Sequence, residues 1–344
     1  METIFVVDDS DVNLTMAKQA LGDSYRVFTL PSAAKMFALL EKVMPDLVLL
    51  DIRMPEMDGF TALEKLAQER RTAAIPVVFL TASSEPEAEI RGFEMGAVDF
   101  ITKPFSAPVL RRRVETHLRV DELIKRRTTH LERLKNGIVS VLADIVECRD
   151  ENTGGHIERT SRCIRILIEA MMANGVYAND MVGWNVDAIV ASARLHDVGK
   201  IAISDVILNK PGRLTPEEFA TIKTHVREGE QIIDKIIAKT GEVEFLLNAR
   251  SFVSYHHEHW DGSGYPYGHK GEEIPLLGRI MAIVDVYDAL ISERPYKKAL
   301  PNDVAVNIIM QEAGKHFDPK IAEIFFLERE NFKATAESIA KEGV

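Results

Sequence analysis

The sequence predicts an α/β domain followed by an all-α domain: a doubly wound, five-stranded parallel sheet, a long connector helix, and an all-helical second domain. Three observations carry this. Up to about residue 118, short β-rich apolar runs alternate with longer amphipathic segments. From about Ser106 the pattern turns helical and highly charged. Beyond residue 136 there is no strand alternation, and an adjacent His196-Asp197 pair stands in the run HDVGK.

The five runs are IFVV (4–7), RVFTL (26–30), LVLL (47–50), VVFL (77–80) and VDFI (98–101). Near-continuous apolar strands separated by helices imply a parallel sheet covered on both faces. The next segment lacks Gly and Pro between Val109 and Asn136, so one long helix can connect the two domains. Its apolar residues Leu110, Val114, Leu118, Ile124, Leu131, Leu134, Ile138, Val141 and Ile145 are loosely spaced at three and four. His117, Asp121 and Thr128 interrupt any strict heptad, leaving a solvated connector and a dimerising coiled coil both open. Expected domain limits are 1–118, 119–136 and 137–344, with a homodimer formed through the connector helix.

Composition bounds the rest. A chain of 344 residues suggests two domains at roughly 100–200 residues each, and 46% apolar content can build two cores. The formal charge of -11 argues against nucleic acid, so a phosphate ligand needs a bound metal or a local basic cluster. Cys148 and Cys163 are the only cysteines and read as reduced thiols in helical patterns. No stretch approaches 18 apolar residues, so neither a signal peptide nor membrane insertion is expected, and the location expected is cytoplasmic.

In a parallel α/β sheet, functional residues gather at the carboxyl ends of the strands. Asp8 and Asp9 end the first strand, Asp51 the third and Thr81 the fourth, while Lys103-Pro104 follows the fifth. Three converging carboxylates repel one another unless a hard cation such as magnesium sits among them, and a Lys adds a compensating charge. As DD, LLDIRMPEMDG, LTA and KPF, these residues resemble the response-regulator receiver domain over essentially all of residues 1–118. The resemblance implies that Asp51 accepts a phosphoryl group from a cognate sensor histidine kinase. It also implies that Asp8, Asp9 and the Arg53 carbonyl hold magnesium, and that Thr81 and Lys103 contact the phosphoryl oxygens. Phe100 takes the family's switch-aromatic position, and Lys103–Pro104 is expected to be cis.

Beyond the connector, His156, His196-Asp197, His225, His256-His257 and Asp285 recur on successive helical segments. Neutral imidazoles with carboxylates suit iron, manganese, zinc or nickel rather than calcium, and a carboxylate such as Asp197 can bridge two ions. Two metals about 3.5–4 Å apart activate a water and stabilise in-line displacement at phosphorus. His117, His130, His259, His269 and His316 read as packed or surface residues.

The stretch Glu147 to Phe326 resembles the HD-GYP family of cyclic di-GMP phosphodiesterases, a branch of the HD metal-dependent phosphohydrolases. The motifs are ECRDENTGGH, HDVGK, KTH, HHEHWDGSGYP, RIMAIVDVYDAL, RPYKKA and HFDP. By that resemblance the metal ligands are His156, His196, Asp197, His225, His256, His257 and Asp285. Lys200, three residues after Asp197 and so one helical turn on, should face the scissile phosphate. Asp288, one turn beyond Asp285, should orient the attacking water or Lys200. Tyr265, Arg294 and Lys297 match substrate-binding positions: an aromatic face for guanine and a basic pair for phosphate.

Two departures from the family stand out. Asn152 lies four residues before His156, where some members place a Glu serving a third metal, so a binuclear centre is expected, with iron ahead of manganese, nickel or zinc. Val226 stands where the family often has Pro. The implied activity is hydrolysis of cyclic di-GMP to pGpG, extending to GMP, under control of Asp51 phosphorylation, with diguanylate cyclases as partners of the GYP loop. Another cyclic dinucleotide as substrate, or an adaptor that binds without turnover, are the alternatives.

Overall fold

The computed structural model describes residues 1–69, 71–82, 86–149, 155–293 and 298–342. Asn152, Arg294 and Lys297, named above, lie outside the described residues. The chain divides into two compact units, Met1–Glu132 and Arg133–Val344. No helix among the described residues is long and apolar enough to cross a membrane.

In the first unit β1 (Thr3–Val7), β2 (Arg26–Leu30), β3 (Leu47–Asp51), β4 (Val77–Thr81) and β5 (Asp99–Thr102) pair in parallel in the order β2-β1-β3-β4-β5. Helices α1 (Asp11–Leu21), α2 (Ala33–Leu40), α3 (Gly59–Gln68) and α4 (Pro86–Glu94) alternate with the strands. Successive side chains of a strand point to opposite faces, and here both faces are apolar. Phe5, Leu50 and Phe79 pack with Met36, Phe60 and Leu63; Ile4, Val6, Leu49 and Leu80 pack with Leu14, Leu21 and Leu110. The registers Val7↔Leu50 and Leu50↔Phe79 bring β1, β3 and β4 to an end at one edge of the sheet, where the expected site residues fall.

Helix α5 (Ala107–Arg149) is longer than the stretch free of Gly and Pro: it begins before Val109 and runs through Gly137 to 43 residues in all. The division between the units falls inside it, as do the expected limits between residues 118 and 137. Val120, Leu123, Ile124, Leu131, Leu134, Ile138, Val141 and Ile145 are exposed along it, whereas Val139, Ala143 and Val146 are buried.

The described residues of the second unit contain helices and no strand. These are α6 (His156–Ala173), α7 (Val186–Ala193), α8 (Asp205–Leu208), α9 (Pro216–Lys223), α10 (His225–Thr240), α11 (Glu244–Tyr255), α12 (Leu276–Ile291), α13 (Asn302–Gln311), α14 (Pro319–Leu327) and α15 (Arg329–Glu342), with 3-10 turns at Val198–Ala202 and Gly271–Glu273. The sequence of α12, LLGRIMAIVDVYDALI, is apolar around most of its circumference, as a central helix must be. Its Ile280, Met281, Ile283 and Val284 share a core with Ile164 and Leu167 of α6, Phe325 of α14 and Phe332 of α15. Each such side chain contributes about 1.5–3 kcal/mol on burial. A smaller cluster of Leu195, Ile233, Phe245, Ala249 and Val253 holds α10 and α11 beside the segment bearing His196 and Asp197.

One expectation is corrected here. The HDVGK run does not continue a helix: α7 stops at Ala193, His196 N bonds back to Ala193 O at 3.1 Å, and a 3-10 turn begins at Val198. The reason is a tight crossing. A Cβ on Gly199 would lie 1.8 Å from the His225 carbonyl oxygen and 2.4 Å from Gly229 N, so the turn lies directly against α10.

Candidate metal centre and phosphorylation site

Helix ends bring the candidate ligands together. His156 opens α6, His196 and Asp197 lie between α7 and the first 3-10 turn, His225 opens α10, His256 and His257 follow α11, and Asp285 projects from α12. His156, His196 and Asp285 present ligand atoms within 4.8 Å of one another, and so do His225, His256 and His257. Asp197 stands between the trios: Oδ2 is 3.4 Å from His196 Nε2, and Oδ1 is 3.3 Å from His225 Nε2 and 3.7 Å from His256 Nε2.

Hydrogen bonds fix which ring nitrogens are free. Nδ1 of His196 lies 3.0 Å from Ala193 O, that of His225 2.7 Å from Ile222 O, and that of His256 2.9 Å from Phe252 O. Nδ1 of His156 lies 2.7 Å from Asp288 Oδ2. These oxygens accept, so each Nδ1 carries the ring proton and each Nε2 offers a lone pair. The lone pairs face each other at 3.4 Å (His156 and His196) and 3.3 Å (His225 and His256), and the buried Oδ1 of Asp197 has no hydrogen-bond donor. Unprotonated nitrogens crowded around an undonated carboxylate oxygen fit divalent transition ions, with Asp197 within reach of both trios.

The electrostatics of His256, His257 and Asp197 agree with that donor set, whereas at His156 burial is outweighed by the Asp288 carboxylate, which raises the ring's pKa. Burial lowers the pKa of His256, and burial with the neighbouring His256 and His225 takes that of His257 well below the usual range, favouring neutral rings. Burial pushes Asp197 the other way, but Lys200 and His196 outweigh it and hold the carboxyl well below the usual range. Lys200 Nζ sits 2.8 Å from Asp197 Oδ2. This contact is made on the 3-10 turn, where residues three apart eclipse, rather than on the expected α-helical turn.

Asp288 is not where the sequence reading put it. Both its oxygens are engaged behind the ligands: Oδ2 on His156 Nδ1, and Oδ1 accepting from Arg159 Nε at 2.5 Å. The expected role toward Lys200 or the attacking water is therefore corrected, because α12 packs on α6 and turns this carboxylate toward His156. Burial would raise the Asp288 pKa, but His156 and Arg159 prevail and lower it. Arg159, one turn after His156, passed unnoticed in the sequence because a helical Arg at that spacing has no distinctive signal.

Tyr265 also differs from expectation. Its ring stacks on His257 at 4.7 Å and 26°, and Lys223 Nζ lies 4.7 Å from its centroid, so the ring is not an open platform for guanine. Burial, then the charges of Asp197 and Asp285, raise the pKa of its hydroxyl and keep it protonated beside those groups. The loop is held by Tyr265 N bonding to His257 O at 3.1 Å and by Glu258 Oε1 accepting from Tyr267 N at 2.7 Å. A Cβ on Gly264 would lie 2.3 Å from His259 N, so glycine is required there. Tyr265–Pro266 is cis. Of the histidines set aside, His117 pairs with Asp99 at 2.9 Å, and the rings of His259 and His316 lie 3.8 Å apart in a tilted contact, neither belonging to a trio.

At the sheet edge of the first unit, Asp8, Asp9 and Asp51 form a third group able to hold a cation. Lys103 Nζ reaches Asp8 Oδ2 at 2.6 Å and Asp51 Oδ2 at 2.8 Å, and Arg53 N donates to Asp51 Oδ1 at 3.4 Å. Burial dominates and raises the Asp51 pKa against the pull of Lys103. Asn13, which the sequence did not single out, donates to Asp8 Oδ1 at 3.0 Å. Thr81 is buried at the end of β4. Phe100 is tucked inward against Phe79 and Phe93, and Lys103–Pro104 is cis as expected.

Residues 140–321 match the HD domain family, and residues 4–115 match the response regulator receiver domain. The chain belongs to the HD domain family. In the chain the HD domain follows the receiver domain, and curated relatives align with most of its length. A probable cyclic di-GMP phosphodiesterase of Vibrio cholerae is 40% identical, the match covering 99% of this chain and 80% of that protein. A cyclic di-GMP phosphodiesterase response regulator of Xanthomonas campestris is 34% identical over 92% of this chain and 85% of its own length. A cyclic di-GMP phosphodiesterase of Thermotoga maritima is 33% identical over 95% and 91%.

Proposed function

We propose that this HD domain protein hydrolyses cyclic di-GMP to pGpG, and onward to GMP, at a binuclear centre, and that phosphorylation of Asp51 controls the rate. The observation that carries the reading is the Asp197 carboxylate set between two ligand trios. Relatives that match most of the chain and are named cyclic di-GMP phosphodiesterases support the substrate.

In this reading His156, His196 and Asp285 would hold one ion and His225, His256 and His257 the other, with Asp197 a shared ligand for both. Iron is proposed first, then manganese, nickel or zinc. Two such ions supply Lewis acidity and lower the pKa of a water that attacks phosphorus. Lys200 offsets charge gathering on the phosphoryl oxygens as the bond to the leaving oxygen breaks. The protonated Tyr265 hydroxyl donates to a phosphate oxygen, Arg294 and Lys297 neutralise the second phosphate, and Asp288 holds the His156 ring in place through Nδ1.

The receiver domain takes its phosphoryl group from a sensor histidine kinase, with magnesium held by Asp8, Asp9 and the Arg53 carbonyl, and Thr81 and Lys103 on the phosphoryl oxygens. We place the working limits at 1–118, 119–136 and 137–344, in the cytoplasm. Exposed Ile124, Leu131, Ile138 and Ile145 recur at every seventh position of α5, with Val120, Leu134 and Val141 in the second register, which supports a homodimer through this helix despite the interruptions at His117, Asp121 and Thr128. Diguanylate cyclases are proposed partners of the loop around Tyr265.

The decisive assay incubates metal-analysed protein with cyclic di-GMP and other cyclic dinucleotides, with Asp197→Ala as control. Conversion of cyclic di-GMP that is lost in Asp197→Ala supports the proposal. Preferred cleavage of another dinucleotide overturns the substrate, and binding without product under every metal tested makes the protein an adaptor. Equal rates for Asp51→Asn and wild type under phosphorylating conditions overturn the control.

A further inference from the structure

The last turn of α5 holds two parts of the metal centre at once. Glu147 Oε1 accepts from the backbone N of His156 at 2.9 Å, doing for α6 what its N-cap residue Gly155 has no side chain to do. Two residues on, the Arg149 guanidinium donates to Ile201 O at 2.7 Å and Ile203 O at 2.9 Å, and twice to Asp205 Oδ1 at 3.1 and 2.7 Å. Ile201 directly follows Lys200 in the 3-10 turn. Asn209 Nδ2 closes the arrangement by donating to Arg149 O at 2.7 Å. Val146 and Glu147 also line one small cavity with His156, His196, Asp197 and Lys200.

We propose that Arg149 and Glu147 are positioning residues of the phosphodiester-cleaving site: Arg149 sets the turn that carries Lys200, and Glu147 sets the backbone that carries His156. The inference rests on the functional reading above and names the contacts through which α5 acts on that site. A planar fork meeting two carbonyls and a carboxylate fixes direction as well as distance, which a lysine's single ammonium cannot reproduce. A small displacement of a catalytic group is enough to lower the rate, by up to about a hundredfold for 1 Å.

The test uses the full-length, metal-loaded chain, with cyclic di-GMP and the small diester bis(p-nitrophenyl) phosphate as parallel substrates. Arg149→Lys is expected to lower kcat about tenfold or more on both substrates, with KM within about twofold and bound metal unchanged. Glu147→Ala should lower kcat similarly, and Glu147→Gln, which keeps the accepting oxygen, should restore it. Wild-type kcat in Arg149→Lys and Glu147→Ala overturns the proposal, as does a loss of kcat that only tracks lost metal or lost folding. Wild-type protein that cleaves the small diester but no cyclic dinucleotide overturns the substrate reading and leaves the comparison of variants in force. Cleavage of neither substrate overturns both.

Discussion

Gly199 and His225 are in direct backbone contact: a methyl group on Gly199 would sit 1.8 Å from the His225 carbonyl oxygen. Both the Cα hydrogen of one and the carbonyl of the other belong to segments that carry proposed catalytic groups, so this contact sets how far Asp197 and Lys200 lie from the second ligand trio. Gly199→Ala is predicted to force the turn away from α10. The expected outcome is a stability loss of about 1–3 kcal/mol and a larger fractional loss of activity, read by thermal melts alongside turnover. An unchanged melting temperature with full activity would show that the crossing relaxes freely.

Asp288 joins His156 to Arg159, and truncating it takes an acceptor from both. Asp288→Ala should destabilise the second unit by about 1–3 kcal/mol, because the buried His156 ring loses the acceptor of its Nδ1 proton and the Arg159 guanidinium loses one of its partners. It should also weaken metal affinity or activity about 10- to 100-fold. Asp288→Asn, which keeps an acceptor for Nδ1, is expected to fall between. Metal titration of the three proteins orders them.

Chelation supplies a third check. With the ring nitrogens of His156 and His196 3.4 Å apart and those of His225 and His256 3.3 Å apart, removal of bound ions leaves like dipoles facing one another. Loading at a hundredfold excess over Kd should stabilise the folded state by about 2.7 kcal/mol. Calorimetry of protein stripped of and reloaded with transition metal, at one constant magnesium concentration, should therefore move the second unit's transition and leave the receiver's in place. Coincident scans for the two preparations would count against the metal centre.

Asp99 offers a test by pH. It accepts from Arg113 Nη1 at 2.7 Å and from His117 at 2.9 Å. Burial opposes ionisation, yet the bonds to His117 and Arg113 prevail and lower its pKa. A depressed folded-state value means that the ionised form stabilises: the contribution is present above the unfolded value of about 3.9 and is lost as pH falls through the lower folded value. Asp99→Asn should lower the receiver's melting temperature at neutral pH, and the gap to wild type should close in strong acid. A gap independent of pH would assign the loss to geometry rather than charge.

The sheet was legible because its strands, buried on both faces, leave uninterrupted apolar runs such as LVLL and VVFL that few other structures produce. The two clusters of candidate ligands were legible as groups because imidazoles and carboxylates recur in short motifs at segment ends. What sequence could not supply was direction. A spacing of three suits an α-helix and a 3-10 turn equally, so Lys200 was read on the wrong kind of turn. Asp288 depends on how α12 rolls against α6, a matter of packing between segments more than a hundred residues apart in the chain. Tyr265 looked available to a base because nothing local announces that His257 and Lys223 already occupy its ring.

Three of the imidazoles, His196, His225 and His256, are oriented by main-chain carbonyls of their own preceding turns, which every amino acid supplies. Their tautomers are thus inherited from chain geometry and survive sequence drift around them. His156 leans on a side chain instead. The corner of the centre at His156 is consequently one that substitution outside the ligand set can retune, making Asp288 and Arg159 a natural dial for ion preference in this scaffold.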